Sequence, residues 1–549
     1  MDTRRLILIM IFAFSSFMLW ESWQKFNQPK PAADAVAANQ SATAAPKPTA
    51  NLQAGGSAPV VPAAALVAPV AESFTITTDL VKATISAQGG DIVQLELLKY
   101  KEHENKDKTF VLFDTKHQYL AQSGLIGEGL PTHRSTFKRV SGPTELADGS
   151  NEIKIRLEAT TANGVKVAKI LTFTRASYLI DVAWEVVNGS DKPLTSHAYF
   201  QLQRDDVTPE GESKMVSTFT GAAVYTDADK YQKVDFGHIA DNKAKFAKTA
   251  DNGWLAMVQH YFVSAWVPKE NTLREYYMRK VEGINAFQAG VIVPLAEIAP
   301  GTTGQSSVSL YAGPQEQATL KKLSPGLDLV VDYGWLTVVA APIFWALQAI
   351  HSLVGNWGWA IVILTIIIKG IFFPLSAASY KSMAKMKLLT PRLTQLKERF
   401  GDDKQRLNQE MMKMYQTEKV NPLGGCLPIL VQIPVFISLY WVLLGAVEMR
   451  DAPWILWIKD LASADPFYIL PVIMIASMFV QTKLNPTPPD PIQAKVMMMM
   501  PFMFGIMFLW FPAGLVLYWV VNNVLSIAQQ WQITRMIEGG GKAANDAKA

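Results

Sequence analysis

Residues Trp359–Ala378 read WAIVILTIIIKGIFFPLSAA, an apolar run that carries one charge, Lys369. A run of this length, at roughly 1.5 Å per residue, reaches across a bilayer core of about 30 Å. A charge inside such a span is costly, so it faces a bundle interior or a water-filled cavity and marks a working site. Counted back from the charged segment that begins near Lys381, Lys369 lies very roughly 15 Å along the helix, farther than a lysine stem reaches by snorkelling. The expected setting is a hydrated pocket within the membrane.

Four further apolar segments follow: Leu423–Val447, Phe467–Thr482, Val496–Phe511 and Gly514–Trp531. The third and fourth of the five are at the short limit for crossing and are expected to thin the bilayer around them. The N-terminus, MDTRRLILIMIFAFSSFMLWESW, pairs two arginines with an apolar stretch bounded by Trp20 and Trp23. No small-residue cleavage site follows directly, so residues 1–26 read as an uncleaved anchor. The fold class is therefore a multi-domain membrane protein with six transmembrane helices, an N-terminal anchor plus a five-helix core over 357–533, and both termini cytoplasmic.

Charge supports this orientation. Segment 378–422 carries ten lysines and arginines against five acids, while the whole 549-residue chain has a net charge of only +4. Positive loops stay inside. Within it, Met383, Met386, Leu389, Leu393, Leu396 and Phe400 recur at helical spacing, as do Leu407, Met411 and Met414. GDDK between them makes a turn with Asp402 as the expected N-cap. The expectation is a cytoplasmic helical hairpin over 379–420. Trp335–Val354 is also apolar enough to cross, but a crossing there would return the basic loop to the outside. It reads instead as an amphipathic helix on the outer surface.

Residues 27–72 are rich in Ala, Pro, Gln and Ser and read as a disordered tether. From Phe74 the texture alternates, as in FTITTDLVKATIS, NEIKIRLEA, VAKILTFT, YLIDVAWEVV and SVSLYAG, with turns at Gly89-Gly90 and Asn188-Gly189. Many short strands over 73–325 imply a large periplasmic β-sandwich, for which scaffold or docking is the expected role. Residues 534–549 are left as a cytoplasmic tail.

Several classes are excluded. The single cysteine, Cys426, rules out an intramolecular disulfide framework. Gly539-Gly540-Gly541-Lys542 lacks phosphate-loop spacing, and the seven histidines show no HExxH or paired metal spacing. No cofactor and no covalent catalysis are expected. No carboxylate lies in the spans to pair with Lys369. The polar residues there are Thr365, four before Lys369 on the same face, with Gln432, Gln481, Asn522, Asn523 and Ser526. Together they suggest a hydrophilic, net positive cavity unsuited to a proton relay. Met497–Met500, Met503 and Met507 around Pro501 suggest an adaptable apolar surface.

The chain resembles the YidC/Oxa/Alb family of membrane protein insertases. The resemblance rests on MDTRR with its tryptophan-bounded anchor and on GWLAMVQHYFVSAWVP at 253–268. KVNPLGGCLPILVQIPVF at 419–436 and LWFPAGLVLYWVVNN at 509–523 extend it across nearly the whole length. It implies an ATP-independent insertase of the inner membrane, with a groove open to cytoplasm and lipid. The groove residues it implies are Lys369, Thr365, Gln432, Tyr518, Trp519 and Asn522. Ile433, Phe436, Met498, Met507 and Phe508 would contact the substrate's apolar segment, and Met383, Met386, Met411 and Met414 would receive it on the hairpin. The implied partners are nascent membrane proteins, the lipid bilayer, the Sec translocon and the ribosome. Two positions depart from the family: Lys369 stands where arginine is usual, and Trp519 where a second tyrosine often follows Tyr518. The alternative reading is a secondary transporter or channel using Lys369 as substrate counter-ion.

Overall fold

Alternating apolar residues build the first half of the chain into two antiparallel sheets. The structure, a computed structural model, describes residues 72–546 except 103–104, 162–163, 210–217, 401–402, 419–426 and 486–490. The anchor and nearly all of the tether, as well as Asp402 and Cys426, lie outside the described residues. Each sheet has nine strands, and they stack as a β-sandwich. In one, His197–Arg204 pairs with Ala286–Pro294, Phe200 opposite Val291. In the other, Leu179–Val187 pairs with Thr303–Pro314, Ile180 opposite Leu310. Inward residues of both, among them Trp184, Phe200, Trp254 and Trp266, are fully buried. The motif at 253–268 is a hairpin, Trp254–Gln259 against Phe262–Pro268. Gly89 turns with φ +72°, and a Cβ there would lie 2.4 Å from the His133 carbonyl oxygen, so only glycine fits.

Ten helices are described. Within or after the sandwich come α1 (Phe236–Ala240) and α2 (Gln317–Leu323), then α3 (Thr337–Val354). The helical half continues with α4 (Trp357–Ile371), α5 (Phe373–Phe400), α6 (Lys404–Thr417) and α7 (Leu427–Gly445). It ends with α8 (Ile469–Leu484), α9 (Pro491–Met507) and α10 (Ala513–Asp546). Asn356 caps α4, its side chain accepting from the Trp359 amide at 3.1 Å.

Two expectations change. The run from Trp359 to Ala378 is not one straight span: α4 and α5 meet at Phe372 with a bend of 67°. Pro374 cannot extend a preceding helix but suits the first turn of a new one, so the chain restarts there. Distance along a single axis from Lys381 to Lys369 therefore has no meaning. The cap of α6 is Asp403, whose carboxylate accepts from the amides of Gln405 and Arg406 at 3.1 and 3.0 Å.

Helix α3 is the one described helix that by length and apolarity alone meets the requirement for a crossing. It buries Ala340, Phe344 and Leu347 against the protein and leaves Val338 and Trp345 85% and 71% exposed. Both faces are apolar, so exposure rather than hydropathy separates them.

The sandwich is docked on the α7–α8 connector, and all described residues belong to one compact unit. Arg450 places its guanidinium 5.1, 5.3 and 5.7 Å from the ring centres of Phe110, Phe262 and Tyr261. It also donates to the Lys101 carbonyl. Lys106 bridges Asp451 and Asp460 at 2.6 and 3.2 Å. His260 Nε2 lies 3.0 Å from the carbonyl of Leu444, at the end of α7. Glu448 sits on a 3-10 turn within this seam, its Oε2 buried with no hydrogen-bond partner among the described residues. Burial first, then the nearby Glu316 carboxylate, raises its pKa to about 7.

Candidate functional site

Helix α10 is the spine of the polar constellation. Asn522 and Ser526 stand four apart and share a face, with Asn523 and Gln530 beside them, all buried. Lys369 lies in the last turn of α4, where the carbonyl end of the helix dipole favours a cation. Its Nζ donates to Ser526 Oγ at 2.7 Å, and Ser526 Oγ in turn donates to the Asn522 carbonyl at 2.7 Å. From α7, Gln432 Nε2 donates to Asn522 Oδ1. From α8, Ser477 Oγ accepts from Asn523 Nδ2 at 3.2 Å. From α5, the Tyr380 side chain also hydrogen-bonds Ser526, so α4, α5, α7 and α8 all meet the spine through side-chain hydrogen bonds.

Lys369 is only 6% exposed and Thr365 1%, with Thr365 Oγ1 donating to the Ile361 carbonyl at 2.7 Å. The cation is packed into a polar network rather than standing in open water. The accessible side of the network is at α7, where Gln432 is half-buried and Val431 and Ile433 are exposed. A ring cluster closes the opposite end. Phe436 lies 4.7 Å from Trp519 and 6.3 Å from Tyr518, and Phe508 lies 5.6 Å from Trp519.

The family resemblance grouped Met498 and Phe508 as contacts for the substrate's apolar segment, and the structure separates them. Met498 is 56% exposed, along with Met499, Met500 and Met503, whereas Phe508 is buried. The reason is local: α9 ends at Met507 and Phe508–Trp510 turn as a 3-10 segment toward Trp519. Met383, Met386, Met411 and Met414 are half-buried on α5 and α6, while Lys381, Lys385 and Lys387 point outward. Ser477, the seam residue Arg450 and the buried Glu448 were not singled out from sequence. Arg450 was legible only as one charge in the connector between α7 and α8. Among the described residues no cluster of His, Cys, Asp and Glu could hold a metal ion.

This arrangement coincides with a strong pattern of kinship. The sequence profile of the YidC periplasmic domain matches residues 73–346, and that of the 60Kd inner membrane protein matches residues 349–540. The chain belongs to the YidC family. It is 80% identical over 549 residues to the membrane protein insertase YidC of Dechloromonas aromatica, covering the whole of both chains. It is 60% identical over 551 residues to that of Aromatoleum aromaticum, again over the full length of both. A crystal structure of an active YidC insertase, with its first transmembrane domain resolved, aligns with 84% of this chain and 92% of its own. The TM-score is 0.41 and the identity 19%.

Proposed function

We propose that this protein inserts membrane proteins by drawing the polar, translocated part of a substrate toward Lys369 while its apolar segment leaves along α7 and α9. Family membership makes the chain a membrane protein insertase, so the reading concerns how it works. The observation that carries it is the Lys369–Ser526–Asn522–Gln432 network beside the exposed Val431 and Ile433. A fixed positive charge next to an apolar flank meets both halves of an entering segment. The groove residues are Lys369, Thr365, Gln432, Tyr518, Trp519 and Asn522. Ile433, Phe436, Met498 and Met507 contact the apolar part, with Phe508 supporting Trp519 from behind.

The membrane arrangement follows from the same reading. Six spans are the anchor at 1–26, α4 with the start of α5, then α7, α8, α9 and α10, with both termini cytoplasmic. The outward cations on α5 and α6 support a cytoplasmic hairpin, where Met383, Met386, Met411 and Met414 receive the emerging segment. The exposed apolar side of α3 lies on the outer leaflet. Helix α8, Ile469–Leu484, spans only about 24 Å at 1.5 Å per residue, short of a core of about 30 Å. A thinned bilayer beside it shortens the path for polar groups. Nascent chains are the substrates, and the ribosome and Sec translocon are the expected neighbours.

Photo-cross-linkers at Gln432 and at Met498 test the reading on stalled nascent chains of a small membrane protein. Cross-links that depend on the chain's hydrophobic segment support it. Their absence from both sites, together with solute flux in liposomes, would instead favour a transporter.

A further inference from the structure

Where the β-sandwich meets the outer end of α7, the structure leaves a partly open cavity of about 510 Å³. That is the size of many small-molecule sites, which run about 300–1,000 Å³. Its floor is apolar and aromatic, with Trp441, Leu444 and Gly445 from α7 and Tyr261, Val330 and Val331 from the sandwich side. Among the described residues its charged lining is Asp206, Asp235, Asp332 and Lys233, three carboxylates against one ammonium, a net of −2. Lys233 is already held by Asp332 and lies 5.0 Å from the centre of the Phe219 ring. Among the described residues Asp206 accepts from a neutral amide, Asn285 Nδ2, at 2.6 Å, and Asp235, which makes no side-chain capping bond to α1, has His238 Nδ1 3.5 Å from its carboxylate. The wall is built rather than accidental. Gln315 Nε2 ties the Gln259 and Phe262 carbonyls at 2.8 and 2.9 Å, and His260 meets the Leu444 carbonyl.

We infer that this cavity binds the headgroup of a zwitterionic phosphoethanolamine lipid. Its ammonium would sit between Asp206 and Asp235, its phosphate beside Lys233, and its first chain carbons against Trp441 and Leu444. The inference rests on the proposed placement of the α7 terminus at the outer membrane surface. A tryptophan at that level is characteristic of the interface. Charge decides among occupants. A translocated acidic tail, which Lys369 attracts, is repelled by a site of net −2, and so is an anionic headgroup. A seated lipid would fill the gap between the sandwich and the core and join both to the outer leaflet.

The test uses the full chain in vesicles of phosphatidylethanolamine and phosphatidylglycerol, with a trace of either lipid carrying a photoreactive group near the glycerol. Adducts are mapped by mass spectrometry. The phosphatidylethanolamine probe is expected to label peptides containing Trp441–Gly445 and Thr218–Asp235. The double variant Asp206→Asn/Asp235→Asn should lose roughly fivefold of that labelling, about what two exposed ion pairs contribute, while adducts on α9 persist. Equal labelling by the phosphatidylglycerol probe, unchanged labelling in the double variant, or adducts on α9 with none at the cavity would each overturn the inference. A Ser463→Cys variant separates this from the topology. If an impermeant maleimide fails to reach it from outside, the membrane placement falls; if it reaches it and the cavity stays unlabelled, only the lipid site falls.

Discussion

Lys369 Nζ and Ser526 Oγ are 2.7 Å apart, a hydrogen bond that joins the last turn of α4 to the middle of α10. The bond spans 157 residues of sequence and holds the one lysine of α4 in register with Asn522 and Gln432.

Replacing Lys369 separates charge from shape. An acidic group about 5 Å away gains roughly 3 kcal/mol from the ammonium at an effective dielectric of about 20. Lys369→Met should therefore lower insertion of single-span substrates with acidic translocated tails by about tenfold or more, and neutral tails much less. Lys369→Arg should retain most activity, since it keeps the charge and adds donors. Insertion assays in a depletion strain, comparing the two tails, decide it. Equal insertion of both by Lys369→Met would remove the role.

Arg450 carries the domain seam. Its guanidinium faces three rings and donates to the Lys101 carbonyl. Arg450→Ala forfeits these at roughly 2–4 kcal/mol of docking free energy. Hydrogen exchange should rise in 100–110 and 446–462 while the sandwich interior stays protected. Unaltered exchange at the seam would show that Lys106 and its two aspartates suffice.

The same seam should respond to pH through Glu448. Its pKa in the folded protein, about 7, lies above the ordinary 4.5, so the folded state binds the proton more tightly. The stability it contributes is fully present below pH 4.5 and is lost as pH rises through 7. Facing it are Glu316, Tyr100 and Tyr333, none of them a cation. Glu448→Gln should flatten the fall in thermal stability across that window and exceed the parent protein at pH 8 or so. A variant as steep as the parent protein would assign the slope elsewhere.

Helices α8 and α9 approach closely at Gly505, where a Cβ would come within 2.1 Å of Ile475 Cγ1. Gly505→Val should cost about 1–3 kcal/mol by forcing the pair apart. Thermal unfolding in detergent should show it, and Gly505→Val/Ile475→Ala should recover part of the loss.

Much of this architecture was readable in one dimension. Period-two alternation in YLIDVAWEVV and SVSLYAG marks strands, and both stretches fall in the paired Leu179–Val187 and Thr303–Pro314. Helical spacing placed Met383, Leu389 and Leu393 on one face, where they are half-buried or buried. The bend at Phe372 was missed because hydropathy runs smoothly through it, and Pro374, its one local signal, was not weighed. Nor was the burial of Phe508, which depends on a helix ending at Met507.

Sequence alone determined the two-part plan and its kinship, for periodicity, charge distribution and long apolar runs are local properties. It also singled out Lys369 as the anomalous charge. Tertiary structure decided what that charge touches. Ser526, Asn522 and Gln432 reach it from remote helices, and Arg450 finds its rings on a different domain. Such partnerships depend on packing angles and helix ends, which emerge only when the apolar faces of the whole chain are buried together.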